Sequence, residues 1–182
     1  MNNKVIFSLY REFVKRDFST LRFNFRGVGK SQGSYDDGEG ELTDAATAMD
    51  WIQTQNPSAT HCWVAGFSFG SWIGMQLMMR RPEIKGFISL SAPALTRDFA
   101  FLAPCPSSGL FIHGSDDEIV PSLALSRVLA KISIQKGAVI KDIIIQGADH
   151  FFNDHNNEMI DAVGDYLDTR LDKDGNFISN NE

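Results

Sequence analysis

The chain has 182 residues, of which 43% are hydrophobic and 22% charged, and its formal net charge is -6. The length fits one domain, and the balance excludes disorder as the default. The acidic balance argues against a nucleic-acid partner, which would select a basic face. Cys62 and Cys105 are too few for a disulfide scaffold and read as buried thiols of a reducing compartment. The first six residues have no apolar core for a signal peptide, and no apolar run approaches ~18 residues, so neither export nor membrane insertion is expected and the cytoplasm is the expected location.

In chain order, Ile6, Leu9, Phe13 and Val14 recur at helical spacing. Thr20 to Phe25 alternates, with Leu21, Phe23 and Phe25 opposite Arg22 and Asn24, which predicts a strand. A glycine-rich stretch runs from Gly27 to Gly40. Leu42, Ala45, Ala46, Met49 and Ile52 then make a helical face closed by Asn56-Pro57. Cys62 to Phe67 is a continuous apolar run, as in a strand buried on both faces. Phe69 to Arg81 predicts a buried helix ended by Pro82, with Gly70 and Gly74 on one face to let it approach a sheet and with Met75, Met78 and Met79 as core filling.

Gly86 to Leu90 and Gly109 to His113 predict two further strands. Pro121 opens a helix with a Leu125, Val128, Leu129 and Ile132 face. Val139 to Ile145 is a β-branched strand, and Met159, Ala162, Val163, Tyr166 and Leu167 form a last helix. Strands alternating with helices predict an α/β fold, a three-layer α/β/α sandwich with a mostly parallel sheet. Residues 1–171 read as a single core and 172–182 as a polar flexible tail.

Gly66-Phe67-Ser68-Phe69-Gly70 is a G-x-S-x-G motif between a predicted strand and a predicted helix. A turn that tight presents a serine oxygen above a sheet edge at a helix N-terminus. There the Phe69 N–H points to where an oxyanion would form. A serine needs a base. His61 begins the preceding strand at its far end, His113 ends a strand, and His155 lies near the last helix in a solvated or capping position. His150 sits directly after the last strand, at the sheet edge where sites gather, and is the best base. A carboxylate to orient the base comes from Asp116 or Asp117, in the loop after the Gly109–His113 strand, and the other of the two would cap the helix at Pro121.

With His113-Gly114-Ser115-Asp116-Asp117-Glu118-Ile119-Val120-Pro121, Gly147 to Phe152 and Arg22 to Ser31, the serine motif resembles the landmarks of the α/β-hydrolase superfamily, in the order that fold uses. Together they resemble a small bacterial branch related to dienelactone hydrolases and small esterases, from Met1 to about Leu171. The resemblance places the acid at the fifth residue of H-G-x-x-D, which is Asp117. It implies a serine hydrolase cleaving a small carboxylic ester or related acyl bond through Ser68, His150 and Asp117, with the Phe69 N–H on the oxyanion and with no metal or cofactor. The Ser91–Ala103 connection is too short for a large lid, which implies an open site for small substrates. Phe99, Phe101 and Leu102 either line that site or pack under the loop.

Relatives carry a leading section with early strands and a loop that donates a second oxyanion N–H. The expectation is therefore an N-terminally truncated α/β-hydrolase fold in which Met1 is not the ancestral start. One central strand would be missing between Leu21–Phe25 and Cys62–Phe67, inner strands would lose ladder partners, catalysis would be weak, and the chain would tend to form homo-oligomers. The alternative is an inactive member of the fold acting as a binding protein. Other classes are weaker. Gly29-Lys30-Ser31 lacks the first P-loop glycine, since Asn24 holds that position, and Gln32 holds the third glycine position of a dinucleotide pattern begun at Gly27. Asp172 to Asn176 resembles a calcium loop, but Phe177 holds its required glycine position.

Overall fold

The computed structural model describes residues 3–132, 137–172 and 177–178. Most of the tail and of the calcium-loop segment lies outside the described residues. Where the tail is described, Phe177 forms an isolated antiparallel bridge with Leu171 and sets its ring 5.9 Å from that of Trp63.

Among the described residues the elements are, in chain order, α1 Lys4–Val14, α2 Glu39–Gln55, β1 Cys62–Phe67, α3 Phe69–Met78, β2 Ile84–Leu90, a 3-10 turn Ala100–Leu102, β3 Ser108–Gly114, α4 Ser122–Ile132, β4 Ile140–Ile145 and α5 Asn156–Asp168. The strands pair in the order β1-β2-β3-β4, all parallel. β2 and β3 are buried almost throughout, as their mostly apolar composition requires. One core cluster joins α2, α3 and α4 to one face of the sheet through Met49, Ile73, Phe87, Phe111 and Leu125. The other joins α1 and α5 to the opposite face through Leu9, Ile88, Ile112, Val163 and Leu167. The predicted α/β/α layering is therefore present. No described helix is long and apolar enough to cross a membrane.

Three details depart from the sequence reading. The α1 stripe is Val5, Leu9, Glu12 and Phe13, whereas Val14 is exposed. α3 stops at Met78 rather than Arg81, because Arg81 turns to bond Glu83 and Asp50, each at 2.7 Å, beside Pro82. The predicted strand at Thr20–Phe25 joins no ladder among the described residues, and Leu21 and Phe23 remain about 40% exposed. Strand structure needs a hydrogen-bonded neighbour. Between this segment and β1 lies a cavity of about 850 Å3 instead. β1 is consequently a sheet edge, with Ala65 exposed at its centre.

Ion pairs tie elements together within the outer layers. Arg16, two residues past α1, bonds both Asp168 oxygens of α5, at 2.7 and 2.8 Å, and also bonds Glu12 of α1. Arg26 holds Asp44 of α2 at 2.9 Å. These guanidinium hydrogen bonds hold the Asp168 and Asp44 carboxyls below the usual carboxylate range. Both groups thus bind protons more weakly folded than unfolded. Their stabilisation is complete above the unfolded value of roughly 4 and is lost as pH falls below it. Thermal melts between pH 6 and 2.5 are expected to show Tm falling below about pH 4, with a shallower fall in Asp168→Asn.

Candidate active site

Ser68 lies between the end of β1 and the first residue of α3. Its N–H donates to the Leu90 carbonyl of β2 at 2.8 Å, while φ is 49° and ψ is -122°. That conformation is sparsely populated for a residue with a Cβ and costs of order 1–3 kcal/mol. Gly66 allows the chain to turn so sharply: a Cβ there would fall 2.4 Å from the Gly70 carbonyl oxygen and 2.6 Å from the Ser71 Cα. Gly70 has a different position from the expected one, since a Cβ there would meet only the Phe25 ring at 3.9 Å. Gly74 is the glycine that brings α3 against the sheet, with Val64 2.9 Å from its missing Cβ. The Phe69 N–H belongs to the first turn of α3, where N–H groups have no intrahelical acceptor.

His150 follows β4, and its Nε2 is 3.0 Å from Ser68 Oγ. Its Nδ1 is 2.7 Å from Asp117 Oδ2. The Asp117 side chain is fully buried, and its other oxygen accepts the Ile119 and Val120 N–H groups at 2.9 and 2.7 Å. With a carboxylate as acceptor, Nδ1 carries the imidazole proton, which leaves Nε2 free to accept from the Ser68 hydroxyl. Asp116 points away. It is exposed, its carboxylate accepts the Ser115 hydroxyl at 2.7 Å, and its N–H holds the Ala148 carbonyl at 3.0 Å.

The remaining histidines occupy other environments. His61 is exposed and bonded to Thr60, and His155 stands at the N-terminal boundary of α5. His113 is buried, with Nδ1 3.3 Å from Asp142 and no geometrically sound hydrogen bond on either ring nitrogen among the described residues. Burial lowers its pKa and raises that of Asp142.

The residue-by-residue reading missed three contributors. Ser91, at φ 45° just past β2, donates its hydroxyl to the His150 carbonyl at 2.9 Å. No local pattern marks it, because its partner is 59 residues away. The rings of Phe67 and Phe151 lie 5.2 and 5.1 Å from the imidazole and shield it. Replacing Ser91 by alanine leaves a buried carbonyl unpaired, a cost of about 1–3 kcal/mol. We expect a lower Tm and, where part of that cost is expressed as imbalance in the imidazole position, roughly tenfold slower covalent labelling of Ser68. Phe99 and Leu102 do not line the site; both are core residues beneath the loop.

The cysteines are free, Cys105 buried and Cys62 half-buried. No group of three or more metal-ligating side chains occurs among the described residues.

The family described as serine aminopeptidase, S33, matches residues 4–108. The uncharacterized protein RP471 of Rickettsia prowazekii is 47% identical over 173 residues, covering 93% of this chain and 73% of its own. The crystal structure of ATU1826, a protein of unknown function from Agrobacterium tumefaciens, superposes with a TM-score of 0.92 at 52% identity, over 93% of this chain and 78% of that one. XC6422 from Xanthomonas campestris, a member of the α/β serine hydrolases without a lid, gives 0.84 at 31% identity, over 93% and 74%.

Proposed function

The chain belongs to the serine aminopeptidase S33 family of α/β hydrolases, and on that premise we propose that it cleaves small carboxylic esters or related acyl bonds through Ser68, His150 and Asp117. The observation that carries the proposal is the unbroken relay from Asp117 Oδ2 through both imidazole nitrogens to Ser68 Oγ, with links of 2.7 and 3.0 Å. Ser68 attacks the carbonyl carbon while His150 Nε2 takes its proton, and Asp117 stabilises the imidazolium. The Phe69 N–H and the α3 dipole stabilise the oxyanion. His150 then protonates the leaving alcohol. Water, deprotonated by the same imidazole, releases the acyl group as a carboxylic acid.

The surroundings favour a neutral acyl substrate over a peptide amino terminus. The groups nearest the Ser68–His150 pair include the rings of Phe67, Phe69 and Phe151. On the α3 side, Arg97 lies over the Phe69 and Trp72 rings, a cation that disfavours a substrate ammonium there. A fluorophosphonate probe followed by a nitrophenyl ester panel tests the proposal. Labelling at Ser68 that is lost in Ser68→Ala, together with ester turnover, is the expected result. A folded chain that neither labels nor turns over any ester would support a non-catalytic binding protein instead.

A further inference from the structure

Two loops are tied together across the first turn of α3, directly beside Ser68. Arg97, in the loop after β2, donates from Nη1 to Asp37 Oδ1 at 2.8 Å and from Nη2 to the Tyr35 hydroxyl oxygen at 2.6 Å. The Tyr35 hydroxyl in turn donates to Asp37 Oδ1 at 2.9 Å, which closes the tie. Tyr35 and Asp37 belong to the loop before α2. The guanidinium lies 5.6 Å from the centre of the Phe69 ring and 4.7 Å from that of Trp72. The rings of Phe25, Tyr35 and Trp72 stand around Phe69, each at 5.8 Å. Trp72 Nε1–H donates to the Asp98 carbonyl at 3.0 Å and so anchors the loop that carries Arg97. Asp37 reaches Arg97 from a left-handed backbone at φ 49°, a conformation that is costly for a residue with a Cβ. Its side chain is 78% exposed, and an ion pair so exposed adds little to stability. A strained backbone that contributes little stability points to a role in the site.

We propose that the tie of Arg97, Asp37 and Tyr35 determines acyl-chain specificity: it closes the α3 side of Ser68, so that short acyl groups fit and long ones do not. This inference rests on the hydrolase reading of Ser68. In the tetrahedral intermediate the oxyanion points to the Phe69 N–H, and the leaving oxygen points to His150 Nε2. The rings of Phe67 and Phe151 flank the imidazole on that leaving-group side. The acyl chain takes the remaining direction, away from His150 and over the first turn of α3, where the tie stands. A hydrocarbon chain pushing past it would strip water from a guanidinium and a carboxylate without offering either a hydrogen bond. Cutting the tie removes the cation that covers the Phe69 and Trp72 rings. Those rings then form an apolar floor on which a longer chain can lie.

The test compares nitrophenyl acetate with nitrophenyl octanoate, which share a leaving group and differ only in the acyl chain. The readout is the ratio of their kcat/KM values. The full chain is expected to favour acetate, and Arg97→Ala and Asp37→Ala are each expected to lower that preference at least tenfold. The double variant is expected to do no more than either single one, because both substitutions cut the same tie. A merely structural role would lower Tm or slow both esters alike and leave the ratio unmoved. Should Arg97→Ala not fold, Asp37→Ala decides, since that side chain is mostly exposed. A preference for octanoate in the full chain, a smaller change in the ratio, or additive effects in the double variant overturns the proposal. Fluorophosphonate labelling of Ser68 separates this inference from the reading beneath it. A labelled protein whose ratio does not move overturns the role of the tie alone, whereas a folded chain that neither labels nor turns over either ester overturns both.

Discussion

Replacing Asp117 by asparagine is expected to lower ester hydrolysis about 10⁴-fold while the protein stays folded. The amide has the shape of the carboxylate, so its oxygen can keep the Ile119 and Val120 N–H groups that now bond Asp117 Oδ1. Its NH2 group then faces His150 Nδ1, where a carboxylate oxygen now stands at 2.7 Å. A donor there forces the imidazole proton onto Nε2, which can no longer accept from Ser68. Ser68→Ala removes the nucleophile itself and is expected to lose about 10⁶-fold in kcat. Asp116→Asn is the control, because that carboxylate is exposed and bonded to Ser115. The measurements are kcat and the rate of fluorophosphonate labelling, with Tm recorded for each variant. If Asp117→Asn keeps its rate within tenfold, or if Asp116→Asn shows the large loss, the assignment of the acid is wrong.

The parts of the fold legible in the sequence are those where side-chain environment and backbone pairing coincide. Cys62–Phe67, Gly86–Leu90 and Gly109–His113 are mostly apolar, and all three fall in parallel strands, although β1 is only partly buried rather than covered on both faces. Leu21–Phe25 shows why the inference has a limit. Alternation records which side chains meet apolar surroundings, whereas a strand also needs a partner for its N–H and C=O groups, and that partner is a property of other residues. Arg81 shows the same limit for a helix end, since its bond to Asp50, 31 residues away, is tertiary.

In the candidate site, Ser68 and His150 were legible because each follows a strand directly, which places both at one edge of a parallel sheet. Asp116 and Asp117 are neighbours of identical chemistry, so the residues alone left the choice open and the family resemblance made it. Burial separates the two: one carboxylate is enclosed against the imidazole and the other faces solvent. Ser91 was invisible because a lone serine after a strand has no pattern, and its bond to the His150 carbonyl exists only in the assembled sheet.

Two glycines beside the site should respond to alanine in opposite directions. Gly114 closes β3, and a Cβ there would fall 2.0 Å from the Ala148 carbonyl oxygen and 2.6 Å from its carbon. Both atoms are backbone, so no rotamer change relieves the contact. The oxygen is also the acceptor for the Asp116 N–H. Gly114→Ala must therefore push the 147–150 turn away from the sheet and carry His150 with it. Overpacking of this kind costs about 1–3 kcal/mol, which in a chain of this size lowers Tm by roughly 2–12 °C. A displacement of about 1 Å at a catalytic group costs on the order of 10²-fold in rate. Gly70→Ala places its Cβ in ordinary contact with the Phe25 ring at 3.9 Å, in the first turn of α3. Alanine is favoured over glycine in helices by up to about 1 kcal/mol, so Tm should hold or rise. Melting curves and labelling rates of the two variants measure both effects. A Gly114→Ala protein with unchanged Tm and labelling rate would mean that the histidine turn is not clamped by β3, and that the 3.0 Å approach of His150 to Ser68 depends on the Asp117 and Ser91 bonds and the flanking rings.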